Sequence, residues 1–128
     1  MKKLISIVLL VAGIAACSDN SNNTVIPIQS IPGDYALKTL NGSPLPFTFA
    51  DSIILNTDIL SLKDGGTFIE TMSLADGRVV VDSGVYTTNN NFLTITDETA
   101  GFTYSASLSG SVLTAVFPTG LTEVFQKK

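Results

Sequence analysis

The chain has 128 residues, the size of one ordinary domain. Eleven acidic side chains against seven basic ones give a net charge of −4, which excludes the basic surface that nucleic acid requires. With no histidine and a single cysteine, the chain cannot build a Ser-His-Asp or Cys-His catalytic group, offers no imidazole to a metal, and cannot form an internal disulfide.

The first segment reads as an export signal. Lys2 and Lys3 are followed by an uncharged apolar run from Leu4 to Ala16. As a helix this run spans roughly 20 Å, short of the ~30 Å hydrocarbon core that about 20 residues are needed to cross. It ends in Ile14-Ala15-Ala16-Cys17, which resembles the lipobox of bacterial lipoproteins: a branched apolar residue, two small ones, then cysteine. The resemblance implies cleavage before Cys17, a diacylglycerol thioether on its sulfur, and acylation of the new amino terminus. Two or three acyl chains hold a protein stably on a membrane where one does not. The alternative is an ordinary secretory signal followed by an incidental cysteine. Ser18, rather than aspartate, after the cysteine points to the outer membrane by resemblance to enterobacterial sorting. The expected location is therefore the cell envelope, with the face of the membrane left open.

The expected domains are a signal peptide over 1–16, a lipidated cysteine and flexible tether over 17–31, and a folded body over 32–128. Ser18 to Asn23 is small and polar, with nothing to bury. Pro32 and Gly33 mark entry to the body. Turn formers then recur at Asn41-Gly42, Asp64-Gly65-Gly66, Asp76-Gly77, Asn89-Asn90-Asn91, Ser109-Gly110-Ser111 and Pro118-Thr119-Gly120. Between them the pattern predicts strands over 33–40, 52–62, 66–74, 78–87, 91–97, 101–108, 112–117 and 121–127, with a short arm over 45–50. No segment of the body has helical periodicity.

Alternation predicts the buried faces: Tyr35 and Leu37; Phe68, Met72 and Leu74; Val79, Val81 and Val85; Leu93 and Ile95; Phe102, Tyr104, Ala106 and Leu108. In the second strand Ile53 and Leu55 are out of phase with Leu60 and Leu62, which a bulge near Asn56–Asp58 would reconcile. Eight short strands joined by hairpins predict an all-β, antiparallel, up-and-down barrel that closes on itself and leaves no open edge. The rival is an open two-sheet sandwich.

Gly33-Asp34-Tyr35-Ala36-Leu37, then Asn41-Gly42 and Leu45-Pro46, resembles the opening of the small lipocalin-like domains of bacterial lipoproteins. Leu60-Ser61-Leu62 with Asp64-Gly65-Gly66-Thr67-Phe68, Gly84-Val85-Tyr86, Leu93-Thr94-Ile95 and Glu123-Val124-Phe125 are similar to their later hairpins. The resemblance implies a small calyx-like barrel and no particular activity.

Carboxylates are the remaining chemistry. Asp97-Glu98 lies in a loop without the spaced ligand set of a calcium site, so no metal and no cofactor are expected. Glu70 lies between Phe68 and Met72 on one strand face. If that face points inward, Glu70 is a carboxylate inside the barrel, either anchoring a ligand at its mouth or paired with Arg78 on the next strand. Tyr35, Tyr86 and Tyr104 either line a pocket with it or are plain core. The expected function is a membrane-anchored, non-enzymatic barrel that binds a small apolar or amphipathic molecule. The alternative is a fully packed barrel that grips another envelope protein as an inhibitor or assembly factor.

Overall fold

The computed structural model describes residues 30–128. The signal segment, Cys17 and most of the tether lie outside the described residues. The chain forms β1 (Gly33–Leu40), two short strands β2 (Ser43–Pro44) and β3 (Phe47–Thr48), then β4 (Ile54–Leu62), β5 (Thr67–Leu74), β6 (Val79–Asn89), β7 (Phe92–Asp97), β8 (Phe102–Ser109), β9 (Val112–Val116) and β10 (Thr122–Lys127). Each long strand from β4 to β10 pairs antiparallel with the next. β1 then pairs on one side with β10 and on the other, through Gly33–Ala36, with β4. The eight long strands therefore close into an up-and-down barrel, as the hairpin pattern predicts, and the sandwich is excluded.

Two irregularities shape the wall. Along β4 the register slips between Leu55 and Thr57, where the change of phase predicts it. Asn56 is the extra residue, so Leu55 and Asp58 both end up buried. A second slip, between Val124 and Phe125 against β1, turns both Leu37 and Leu40 inward. The Asn41-Gly42 hairpin has φ of 50° and 82°, the left-handed pair that lets a two-residue turn follow the strand twist.

The lumen is filled by Tyr35, Phe68, Phe125, Leu40, Leu60, Ile95 and Leu113, all essentially inaccessible to solvent. Burying each contributes about 1.5–3 kcal/mol relative to exposure. The predicted inward faces hold for β1, β5, β7 and β8, with Phe102 at the exposed rim. β6 is the correction. Val79, Val81 and Val85 point outward, at 59%, 53% and 38% exposure. The inward phase is Asp82, Gly84 and Tyr86. Gly84 is required there: a Cβ would lie 2.0 Å from the Thr96 carbonyl oxygen and 2.9 Å from Phe68 Cε1. Phe68 takes the space that a side chain at Gly84 would fill, and Val79, Val81 and Val85 lie on the outer face.

The barrel has two poles. At the entry pole the chain comes in at Ser30, β10 ends, and the turns after β4, β6 and β8 gather. At the far pole lie the turns after β5, β7 and β9, and the arm of residues 41–53. Leu45, Phe47 and Phe49 of that arm pack as half-buried residues against the core.

Candidate functional site

Alternation places an acidic residue at an inward position on several strands. Asp58 on β4, Glu70 on β5, Asp97 at the end of β7 and Glu123 on β10 are all buried. Asp82 on β6 stands opposite Glu70 in the strand register. Three of these converge: one carboxylate oxygen each from Asp58, Glu70 and Glu123 lie within 4.8 Å of one another. They project from three strands, two adjacent and one beyond β1.

The cluster has few partners. Neither oxygen of Asp58 and not Oε1 of Glu123 has a hydrogen bond. Asp58 and Glu70 are close enough to influence one another as donor and acceptor, yet Asp58 makes no aligned hydrogen bond to it. Asp97 is better served: its Oδ1 accepts the Ala100 amide at 2.8 Å and shapes the turn after β7. That structural role accounts for the Asp97-Glu98 pair noted in the sequence.

Burial dominates the acidity of the group. Loss of solvent, then repulsion from Glu70 and Glu123, pushes Asp58 up to about 10. Burial, then Glu70, raises Glu123 to about 8. Glu70 rises to about 7, again first through burial, with the contact to Asp58 opposing and the charges of Asp82 and Asp97 adding to the rise. Tyr104, facing the same carboxylates, is raised by burial and then by Glu70, so its hydroxyl stays a proton donor.

Above Tyr104 the far pole is aromatic. The Tyr104 ring stacks on Phe117, with centroids 4.2 Å apart, and Phe102 lies 5.6 Å from Phe117. Phe102, Phe117, Pro118, Thr119 and Leu121 line an apolar cleft of about 380 Å³, within the size range of small-molecule sites.

The five residues singled out from the sequence do not form one site. Glu70 and Tyr104 come together inside the barrel. Glu70 is 7% exposed, so it stands within the wall rather than at an open mouth. Arg78 does not pair with it. Arg78 is on the surface, its Nε 2.7 Å from Asp76 Oδ2, because the turn after β5 brings those two residues together. Tyr35 and Tyr86 are at the entry pole, where their hydroxyls donate to the carbonyls of Ile31, at 2.6 Å, and Lys63, at 2.5 Å. Both bonds tie strands to connecting segments. Asp58 and Glu123 escaped the sequence reading, although each shares its strand phase with apolar core residues: Asp58 with Leu60 and Leu62, Glu123 with Phe125.

Among protein-family models, curated proteins and solved structures, none matches this chain.

Proposed function

We propose that the protein is a cell-envelope lipoprotein, anchored through lipid on Cys17, whose small lipocalin-like barrel binds a small amphipathic molecule at its far pole. The observation that carries this reading is the cleft of Phe102, Phe117, Pro118 and Leu121. An exposed phenylalanine beside a stacked aromatic pair is a surface that water solvates poorly and a flat apolar group covers well. The packed lumen moves the binding surface from the interior to the rim, so the apolar part of the ligand lies against the aromatics and its polar part faces water. In this reading the role is non-enzymatic: the chain has no histidine and a single cysteine, which the lipid would occupy, and its shifted carboxyls lie buried inside the barrel rather than in the cleft.

Native mass spectrometry of the Cys17→Ser protein, exported and purified gently, tests this reading. A reproducible added mass, lost in Phe117→Ser, is the expected result. A bare mass, with no uptake of fatty acids, lysophospholipids or the fluorescent probe N-phenyl-1-naphthylamine, would sink it.

A second reading has its own support. Val79, Val81 and Val85 expose an apolar stripe on the outer face of β6. Ile69, also exposed, stands opposite Ser83 and so between Val81 and Val85. Such a stripe on a barrel wall suits a protein partner. A photo-crosslinker at Val81 that gives one discrete adduct in cells, absent when placed at the outward-facing Thr94, would favour this role.

A further inference from the structure

We propose that Asp58, Glu70 and Glu123 form a binding site for a hard divalent cation, calcium by preference, inside the barrel. The inference is independent of the rim ligand.

Three observations carry it. The first is convergence: carboxylate oxygens from three separate strands lie within 4.8 Å of one another. Two ligand atoms on one ion can be no farther apart than twice the ion–oxygen distance. That limit is about 4.6–5.2 Å for calcium and about 4.0–4.2 Å for magnesium. The three oxygens lie close enough for small side-chain shifts to bring them onto one calcium ion, whose shell is flexible, whereas magnesium demands near-ideal octahedral geometry from groups fixed on separate strands.

The second is the lack of partners. Asp58 is 2% exposed, and both of its oxygens are without a hydrogen bond, as is Oε1 of Glu123. Buried polar atoms are almost always satisfied in native proteins. Three unsatisfied acceptors on two side chains of one cluster call for something electropositive between them. A proton shared between two of the carboxyls engages one oxygen of each, whereas a cation engages all three side chains at once.

The third is charge. Asp82, opposite Glu70 in the strand register, and Asp97 add negative charge to the same group, and among the described residues no salt bridge reaches it. The one salt bridge among the described residues joins Arg78 and Asp76 at the surface. The Lys127 ammonium donates to the Ser30 carbonyl at the entry pole. A ligand set made only of oxygen favours calcium, magnesium or manganese over zinc or copper. The remaining calcium ligands would come from second carboxylate oxygens and water, since the ion takes 6–8 oxygens.

The test uses the full-length chain, extracted in detergent, stripped with EDTA and dialysed at pH 7.5. Equilibrium dialysis should find one calcium retained per chain. The thermal midpoint should rise by about 10 °C at a hundredfold excess of calcium over its Kd, with a smaller rise for magnesium. Asp58→Asn should abolish both effects while keeping the β-sheet circular dichroism. Asp76→Asn, at the surface, should change neither. Should Asp58→Asn fail to fold, Glu123→Gln serves the same purpose. No retained calcium and an unchanged midpoint in the wild-type protein would overturn the proposal, as would a folded Asp58→Asn variant that binds calcium normally. Tighter binding of magnesium than calcium would overturn the choice of ion.

Discussion

The Tyr104 ring lies stacked on that of Phe117, 4.2 Å between centroids and 17° between planes. Tyr104 belongs to the buried wall, whereas Phe117 is half-buried at the rim. Phe117 therefore joins the floor of the cleft to the core. Replacing it with alanine should cost about 1–2 kcal/mol of stability, less than a full core phenylalanine. It should also remove most of the uptake of a fluorescent apolar probe. Parallel urea melts and probe titrations check both effects; a variant that loses stability yet binds the probe undiminished would disconnect the cleft from the ligand.

The acidic cluster sets the direction of the pH dependence in the presence of a chelator. Asp58, Glu70 and Glu123 hold their protons in the folded state up to about 10, 7 and 8. In the unfolded chain carboxyl groups release them near pH 4. Above that pH the folded state carries more protons than the unfolded state, so stability falls as pH rises. The contribution is fully present below about pH 4 and is lost progressively as pH climbs through those folded values. Urea midpoints in EDTA should therefore drop from pH 5 to pH 9. Asp58→Asn should flatten the decline, because the amide has no proton to lose. A midpoint that rises with pH would show that the carboxylates are stabilised as anions.

Gly84 is a packing requirement rather than a turn. A methyl group there meets the Thr96 carbonyl and the Phe68 ring, and the nearer of the two is backbone that cannot swing aside. Gly84→Ala should destabilise the protein by roughly 2–4 kcal/mol. Thermal unfolding measures this; a loss under about 0.5 kcal/mol, within the range of a surface change, would mean that β6 moves freely against β7.

Tyr35 and Tyr104 should separate in mutagenesis. Tyr35→Phe removes a buried hydroxyl that donates to the Ile31 carbonyl. It should cost about 1–2 kcal/mol and leave probe binding unchanged. A loss of binding without loss of stability would return Tyr35 to the ligand site.

The strands were legible because turn chemistry punctuates them. Asn41-Gly42 and Asp76-Gly77 bracket β-favouring runs, and the predicted ends fall within one or two residues of the observed ones. The bulge in β4 was legible from the change of phase between Leu55 and Leu60. β6 was misread because hydrophobicity alone assigned its inner face, while the neighbouring Phe68 reserves the space at Gly84. The acidic cluster was hidden for a related reason. Its members come from β4, β5 and β10, so no short motif holds them. Only Glu70, between Phe68 and Met72, carried a clear local sign. Asp58 obscured its own by standing beside the bulge, and Glu123 by standing at the start of a short strand.

β1 meets both β4 and β10, so the seam of the barrel joins the first and last long strands of the fold. A chain still emerging from a ribosome or a membrane channel has no means of sealing that seam. Until Thr122–Lys127 arrive, the sides of β1 and β9 that β10 will cover stay open to other chains. The contacts that finish the barrel are also among the most distant in sequence, which makes closure a late and slow event in such topologies. The interval between synthesis and closure is thus when this protein is most in need of protection, and the arrival of β10 decides when that interval ends.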